Sequence, residues 1–385
     1  MRIGILTFHK VINYGAFLQS YSLSEKLKKE FPDDEVEIID YVTAPKRKWF
    51  VVLWNIKHYG IKGGLTELKR ISVFNAAQKN LTLSPKSFKA DEFNELFRYI
   101  DERYDMLIIG SDAVFNWKQT AFPTAFIPDY KFNIPVFTYA ASVHGMCFYD
   151  ESDDRLKKCG EIFKSMRCVG VRDNCSDKFV KLCSPDARTM HCCDPTFFID
   201  KDDIYSRGSS IEEKLKQKYN FSMDSKYIVV MAPDNNLIKS VAAKYSQEYK
   251  IVSVFLKSAY ADVYIPDIDP FEWTAILKNA QAVVTSYFHG TLLSLVQGTP
   301  VIALDYSGYC DEQYEGKLKD LMFTRLSLPE LYFDKEYAVN YTDNDEFYKK
   351  FDELLGGKYK DSIEKAINTE KKAFDNFVEI IRKEI

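Results

Sequence analysis

The sequence predicts an α/β fold with two doubly wound parallel sheets and additional helices at the C-terminal end. Short β-rich apolar segments alternate with helical patterns along most of the chain, which is typical of βαβ units. The alternation stops at the polar stretch Asp200–Ser222 and then restarts, so one sheet is expected on each side of it. A length of 385 residues and a hydrophobic content of 46% are typical of two globular domains.

Residues 1–200 are predicted to form the N-terminal domain, and residues 201–224 a linker. Apolar segments predict strands at Ile3–Thr7, Val36–Ile39, Met106–Ile109, Val136–Tyr139, Cys168–Val171 and Thr189–Cys192. Apolar residues three and four positions apart predict helices at Phe17–Lys29, Phe93–Arg103, Asp153–Ser165 and Asn174–Leu182.

Residues 225–335 are predicted to form the C-terminal domain, and residues 336–385 to be helices that close the fold. The strands of the second sheet are expected at Tyr227–Met231, Lys250–Val254, Ala282–Thr285 and Val301–Leu304. Its helices are expected at Lys239–Tyr249, Pro270–Asn279 and Leu292–Gln297. Amphipathic spacing predicts the closing helices at Asn344–Leu355 and Ser362–Lys383.

Charge and cysteine spacing exclude several classes of protein. The 52 basic and 56 acidic residues give a net charge of -4, so there is no global positive field that would hold nucleic acid. None of the eight cysteines has the spacing of a zinc ribbon, and no metal is expected. No apolar run is long enough for a signal peptide core or a membrane span, which favours a cytoplasmic protein.

Polar residues follow several of the predicted strands of the first sheet. Asn13 and Gly15 precede a helix whose N-terminus favours anions, although Asn13 is equally explained as a helix cap. Ser111 and Asp112 end another strand, where the carboxylate can act as a base toward a sugar hydroxyl or simply cap a helix. Ser142 ends a third strand among small residues, which allow a ligand to approach closely.

Arg172 follows the strand Cys168–Val171. Its planar guanidinium suits a carboxylate or phosphate ligand. The alternative is an internal ion pair with Asp173 or Asp194. Pro195 forces an extended backbone on Asp194, which indicates a crossing between the domains at that point.

The turn after Ala282–Thr285 carries the densest set of functional residue types. A strand ends, a polar turn contains a histidine, and an apolar helix begins. Hydroxyls and backbone N–H groups of this turn could hold a phosphate beside the imidazole, and a helix N-terminus makes an imidazolium a stronger acid. A core or capping histidine is the alternative. The polar residues are Thr285, Ser286, His289, Gly290 and Thr291.

Taken in order along the chain, six motifs resemble those of the polysaccharide pyruvyl transferase family. They are Asn13-Tyr14-Gly15-Ala16 with Leu18-Gln19, Gly110-Ser111-Asp112, Tyr139-Ala140-Ala141-Ser142, Val171-Arg172-Asp173, Asp194-Pro195-Thr196, and Thr285-Ser286 through Phe288-His289-Gly290-Thr291. The resemblance implies two Rossmann-like domains in a GT-B-like arrangement. It also implies transfer of an enolpyruvyl-derived unit from phosphoenolpyruvate to a pair of sugar hydroxyls, forming a ketal, with no cofactor.

Roles for individual residues follow from this resemblance. Arg172 is expected to bind the carboxylate or phosphate of phosphoenolpyruvate, and the turn Ser286–Thr291 its other anionic group. His289 is expected to protonate the methylene carbon, and Asp112 to be the base for the acceptor. The predicted substrate-binding residues are Asn13, Gly15, Ser111, Ser142, Arg172, Thr285, Ser286, Gly290 and Thr291.

Three positions depart from the family pattern. Ala113 stands where members often carry Gln, His144 where Gly is usual after an aromatic residue, and Tyr287 where some members carry Arg. One cationic group for the donor must then come from another part of the chain. Two alternatives remain on the same frame: a nucleotide-sugar glycosyltransferase and a non-catalytic carbohydrate-binding protein.

The segment Pro45–Arg70 differs from the rest of the chain in composition. Seven basic residues face one acid, Glu67, and alternate with apolar residues that include Trp49 and Trp54. Basic and aromatic residues together favour peripheral contact with the inner membrane or with a lipid-linked saccharide acceptor. The alternative is a buried helix with a solvated basic face.

Overall fold

Two parallel sheets, each flanked by helices, form the core of the protein. The computed structural model describes residues 1–42, 47–117, 122, 124–144, 154–306 and 316–384. The α/β fold class and the two Rossmann-like domains in a GT-B-like arrangement are confirmed. Three positions that the predictions used, Pro45, Lys46 and Asp153, lie outside the described residues.

The first sheet has the strand order β3-β2-β1-β4-β5-β6-β7 within the described residues, and all of its pairings are parallel. Its central strands are apolar because helices cover both faces. The strands are β1 Arg2–Leu6, β2 Glu35–Val42, β3 Leu83–Lys89, β4 Met106–Ile109, β5 Val136–Ala141, β6 Cys168–Val171 and β7 Thr189–His191.

The second sheet has the order β10-β9-β8-β11-β12-β13 in the part of the chain that the structure describes. It is parallel throughout. The strands are β8 Tyr227–Met231, β9 Lys250–Val254, β10 Val263–Ile265, β11 Ala282–Thr285, β12 Val301–Asp305 and β13 Tyr332–Asp334.

Helices connect these strands. In the first half they are α1 Tyr14–Glu30, α2 Arg47–Ala77, α3 Phe93–Arg103, α4 Asp154–Ser165, α5 Asn174–Cys183, α6 Lys201–Gly208 and α7 Ile211–Tyr219. In the second half they are α8 Asn236–Tyr245, α9 Pro270–Asn279, α10 Phe288–Gln297, α11 Lys317–Lys319, α12 Lys335–Val339, α13 Asp345–Leu355 and α14 Lys360–Glu384. A π-helical segment, Asp320–Arg325, follows α11 directly.

The segment predicted as a linker, residues 201–224, contains the helices α6 and α7. Acidic residues in the first turn of each helix favour its N-terminus. Helix α6 packs tightly on α9, since a Cβ atom added at Gly208 would lie 2.4 Å from the carbonyl oxygen of Phe271. This segment is therefore part of the packed structure, and the predicted domain boundaries stay predictions.

The two closing helices pack on different domains. In α13, Phe351 contacts Tyr245 of α8 with ring centroids 4.9 Å apart. In α14, Phe374 and Phe377 pack on Tyr139 of β5, at 5.6 and 4.8 Å between ring centroids. The chain therefore returns to the first sheet after the second domain is complete.

Helix α2 covers residues that the sequence singled out as basic and aromatic. Gly60, with φ of 68°, breaks it into two parts, a conformation that glycine adopts without strain. Phe74 anchors it on α1 through Tyr14 and Phe17, at 5.6 and 5.9 Å between ring centroids. Among the helices of the described ranges, neither α2 nor any other combines the length and apolar character needed to cross a membrane.

Candidate active site

The predicted strand-end residues converge because parallel strands place their carboxyl ends at one edge of each sheet. Residues after β1, β4, β5, β6 and β7 meet residues after β11 across a cleft between the two sheets. The strands align in register, with Leu6 opposite Ile109 and Ile109 opposite Thr138. Arg172, Asp194, Phe288 and Lys317 are among the residues that line this cleft.

Asp194 joins the two walls of this cleft. Its Oδ2 accepts a hydrogen bond from Nη1 of Arg172 at 2.9 Å and lies 3.5 Å from Nε2 of His289. Its Oδ1 accepts from the backbone N–H and the hydroxyl of Thr196, at 3.0 and 2.6 Å. Burial would raise the pKa of Asp194, but the interactions with His289 and Arg172 hold that pKa below its ordinary value. Asp194 is therefore a carboxylate in the folded protein.

Arg172 is 5% exposed, yet one edge of its guanidinium is unpaired. Within the described residues, Nε and Nη2 have no hydrogen-bond partner, and the carboxylate of Asp112 lies 3.9 Å from Nη2. Burial disfavours the charged guanidinium, but Asp194, Asp112 and Asp173 outweigh that effect and raise the pKa of Arg172. The predicted ion pair with Asp194 is present, and the free edge is the one that suits a planar or tetrahedral anion.

His289 lies in the first turn of α10 and is 8% exposed. Its imidazole rests on the start of α1, where a Cβ atom at Gly15 would be 2.0 Å from Nδ1. The amide of Gln19 lies 2.5 Å from Nε2 and also accepts from the hydroxyl of Ser111 at 2.5 Å. The first domain therefore positions a histidine that belongs to the second.

Phe288 lies between two cations. The Arg172 guanidinium carbon is 5.0 Å from its ring centroid and Nζ of Lys317 is 5.1 Å from it. Burial, followed by the charge of Arg172, lowers the pKa of Lys317 to about 8. The charge of Lys317, followed by burial, lowers the pKa of His144 well below its ordinary value. Arg172 and Lys317 thus supply two cations to a cleft that acidic residues also line.

The end of the cleft near Lys317 is closed by a contact between the domains. Asn174, at the start of α5, donates to Asp320 at 2.8 Å and accepts from Arg325 at 2.8 Å. Burial raises the pKa of Asp320. These groups fix the π-helical segment, and with it Lys317, against the first domain.

The polar turn predicted to hold a phosphate is partly used within the protein. The hydroxyls of Thr285 and Ser286 both donate to the carbonyl oxygen of Met231, each at 3.3 Å. Gly290 packs on Thr285, where a Cβ atom would lie 2.6 Å from Oγ1. The hydroxyl of Thr291 is buried and has no partner among the described residues. Thr291 is thus the hydroxyl of this turn that forms no hydrogen bond with the described residues.

Asn13 and Ser142 have local partners. Asn13 caps α1 by accepting a hydrogen bond from the backbone N–H of Ala16 at 3.2 Å. This is the helix-cap role that the sequence analysis gave as the alternative to anion binding. Ser142 donates to Asp173 at 2.7 Å, and Asp173 caps α5. The structure therefore brings Asp112, Arg172 and His289 together, and places Asn13 and Ser142 in the frame around them.

Sequence reasoning missed three residues of the cleft as site residues. Asp194 was interpreted as a crossing point and as one of two possible partners of Arg172. Gln19 was interpreted only as part of a motif, and Lys317 was not considered. Asp194 and Gln19 lie within the family motifs, which was a usable signal. Lys317 lies on a short helix after β12 and carries no local signal, because its position depends on tertiary packing.

The arrangement defines a class of protein. Two Rossmann-like domains that face each other across a charged cleft, at the carboxyl ends of their strands, are typical of GT-B-type enzymes. The family model for polysaccharide pyruvyl transferase matches residues 13–308. The chain belongs to the polysaccharide pyruvyl transferase family, and it is a transferase.

Solved structures support the fold. UDP-GlcNAc 2-epimerase from Neisseria meningitidis bound to UDP-GlcNAc is similar at 12% identity, covering 100% of both chains with a TM-score of 0.55. Another UDP-N-acetylglucosamine 2-epimerase is 12% identical, covering 95% of this chain and 90% of that one with a TM-score of 0.53. A comparison with curated proteins gave no match.

Proposed function

We propose that the protein transfers a pyruvyl group from phosphoenolpyruvate to two hydroxyls of a sugar, forming a ketal and releasing phosphate. The acceptor is a sugar of a bacterial surface polysaccharide or of its precursor. The observation that carries this proposal is the Nε and Nη2 edge of Arg172, which is buried without a hydrogen-bond partner among the described residues. Arg172 lines the same cleft as Lys317, and its Nη1 binds the carboxylate that also lies beside His289.

The donor fits the charges of the cleft. Phosphoenolpyruvate carries a carboxylate and a phosphate on the same carbon atom. The Nε and Nη2 edge of Arg172 can form two parallel hydrogen bonds with one of these groups. Lys317, half-buried on the other side of Phe288, supplies the second cation. This assignment adds Lys317 to the predicted set and leaves Thr291 as the contributing hydroxyl of the turn.

Proton transfer is assigned to Nε2 of His289, since Nδ1 is packed on Gly15. The imidazolium donates this proton to the methylene carbon of the enol, which leaves an oxocarbenium-like centre at the adjacent carbon. The first sugar hydroxyl attacks that centre and gives its proton to Asp112. The second hydroxyl then attacks the same carbon and gives its proton to His289, which restores the imidazolium. The bond from that carbon to phosphate breaks, and phosphate leaves with the proton held by Asp112 as the ketal closes. Asp194 stabilises the positive charge on the imidazole before the transfer.

Dependence of the reaction on phosphoenolpyruvate distinguishes this proposal from the two alternative functions. The protein is incubated with phosphoenolpyruvate and candidate sugar nucleotides or lipid-linked saccharides, and phosphate release is measured together with the mass of the product. The proposal requires phosphate release that depends on both substrates and a product heavier by one pyruvyl ketal. Release of a nucleoside diphosphate without phosphoenolpyruvate would favour a glycosyltransferase. Sugar binding without any product would favour a carbohydrate-binding protein.

The proposed donor and acceptor also determine where in the cell the reaction takes place. The reaction uses phosphoenolpyruvate and therefore takes place on the cytoplasmic side, where this metabolite is made. A lipid-linked saccharide acceptor would bring the protein to the inner membrane. Neither a metal nor a cofactor is required by the steps above.

A further inference from the structure

The outer side of α2 carries an unusual concentration of exposed apolar side chains. Within the described residues, six of the twelve exposed large hydrophobic side chains lie on this one helix. Ile61 is 76% exposed and Leu65 is 55% exposed. Contiguous apolar surface of this kind marks a site of interaction. We refer to the six residues as the outer face of α2: Leu53, Trp54, Ile56, Ile61, Leu65 and Leu68.

Helix α2 exposes apolar side chains on its outer side, where an ordinary surface helix carries polar ones. After the break at Gly60, apolar residues recur at positions 61, 65 and 68, which places them on one side of the helix. That side faces outward. Glu67 faces inward, is 6% exposed and accepts from Arg70 at 2.7 Å. The alternative of a buried helix with a solvated basic face describes α2 in part, since its inner side packs on α1 and its lysines are exposed, but apolar side chains share the exposed side.

The exposed charges on this segment are all basic. Lys57, Lys62 and Lys69 are exposed, and none of them forms an ion pair within the part of the chain that the structure describes. The only acid between residues 51 and 77, Glu67, is turned away from them. The whole chain carries a net charge of -4, so this helix is a local positive region on an acidic protein.

Charge complementarity selects the partner. Apolar side chains flanked by lysines match the boundary between acyl chains and anionic headgroups in a phospholipid membrane. A second copy of this chain matches poorly, because a two-fold interface would bring the same unpaired lysines of both copies together. An anionic surface pairs with these lysines while it buries the apolar residues.

We propose that the outer face of α2 binds the anionic surface of a phospholipid membrane, with the helix lying in the plane of the interface. This inference goes beyond pyruvyl transfer and stands whether or not that is the reaction. The inner side of α2 packs on α1 through Phe74, and α1 borders the active-site cleft through Gly15. Binding therefore sets the orientation of the cleft relative to the membrane.

The test is co-sedimentation of the full chain with vesicles at low salt. One set of vesicles contains phosphatidylcholine with phosphatidylglycerol, and the other contains phosphatidylcholine alone. The apolar variant carries Ile61→Ser with Leu65→Ser, and the charge variant replaces Lys57, Lys62 and Lys69 by Gln. Matched controls are Val339→Ser, which removes an exposed apolar residue elsewhere, and a triple Gln variant at the exposed residues Lys131, Lys365 and Lys372.

We expect binding to the anionic vesicles only, with about a fivefold loss of partitioning for each lysine removed and a comparable or larger loss for the apolar variant. Both controls should bind like the wild type, and thermal melts should show that all variants fold. Failure of the wild type to bind at low salt would overturn the proposal. So would a concentration-dependent dimer, seen by sedimentation velocity, that the apolar variant abolishes, because the face would then belong to a second copy.

Discussion

The two walls of the cleft differ in how far their polar groups are satisfied. On the first-sheet wall, Ser142 donates to Asp173 and Thr196 donates to Asp194, while Nε and Nη2 of Arg172 have no hydrogen-bond partner among the described residues. On the second-sheet wall, Lys317 and Thr291 have no hydrogen-bond partner among the described residues. The first wall is a rigid frame around one cation, whereas the second presents groups whose partner must be a ligand. Substitution of the first-wall hydroxyls should therefore reduce stability, whereas substitution of Arg172, Lys317 or Thr291 should reduce donor binding.

The largest effect is expected at His289, where the walls meet. His289→Asn removes the proposed proton donor, so kcat should fall by about 10²- to 10⁴-fold. The side chain is small enough to leave packing on Gly15 undisturbed, and the melting temperature should stay close to that of the wild type. Steady-state phosphate release measures the rate. His58→Asn, on the exposed side of α2, is the matched control. Full activity of His289→Asn would remove this residue from the mechanism.

Gly15→Ala tests whether the first wall positions the histidine of the second. The new Cβ atom would lie 2.0 Å from Nδ1 of His289, so the imidazole must move. A displacement of about 1 Å typically costs about 10²-fold in rate, and kcat should fall by that order. Gly356→Ala is the control, because its Cβ atom would come no closer than 3.3 Å to another atom. Equal activities of the two variants would contradict the positioning role of Gly15.

Lys317→Gln tests the cation of the second wall through its pH dependence. Lys317, with its pKa lowered to about 8, is charged below that pH and neutral above it. In the wild type, kcat/KM for phosphoenolpyruvate should therefore fall as pH rises through about 8. The variant should show about 10-fold lower kcat/KM at pH 7 and no further loss near pH 8. The charges that act on Lys317 are those of Arg172, Asp112, Asp173 and Asp194, and His144 also interacts with it.

An unchanged fall near pH 8 in the Lys317→Gln variant would assign the titration to another group. The same variant also tests the role of Lys317 independently of the proposed pyruvyl transfer reaction. If the wild type releases phosphate and the variant does so equally well at every pH, only the role of Lys317 fails.

The smallest effects are expected from removing one hydroxyl group from each wall of the cleft. Ser142→Ala removes a hydrogen bond to the buried Asp173 and should lower the free energy of unfolding by about 1–2 kcal/mol, with little change in KM. Thr291→Val removes a hydroxyl without a partner among the described residues, so stability should be unchanged while the KM for phosphoenolpyruvate rises about 3-fold. Denaturant titration and initial rates measure the two quantities. The reverse pattern would refute the division between a frame and a ligand-binding wall.

The strand ends of the site could be predicted because they are coded locally. An apolar run that stops at a polar residue specifies both the strand and the residue at its carboxyl end, as for Asp112 and Arg172. Their partners could not be chosen in the same way. Two acids were candidates for Arg172, and packing of β7 beside β6 selects Asp194. Lys317 reaches the cleft only through the contact of its segment with Asn174, which no sequence pattern predicts.

The elements that the sequence analysis did not predict have weak or misleading hydrophobic patterns. β3, β10 and β13 lie at the edges of their sheets, where polar residues are tolerated and the apolar signal is weak. Helix α2 presents apolar residues to solvent, so its hydrophobic pattern gives no reliable indication of the buried side. The helix was recognisable from its composition, but its orientation follows from Phe74 and its contacts with α1.

The return of α14 to the first sheet limits how the cleft can open. The chain passes between the domains once before α6 and again between α13 and α14, since Phe374 and Phe377 belong to the core around Tyr139. The two chain connections together form a hinge. The domains can rotate about the axis through both connections, whereas translation or twisting of one domain relative to the other would strain both connections. Exchange of substrates is then governed by a single angular motion.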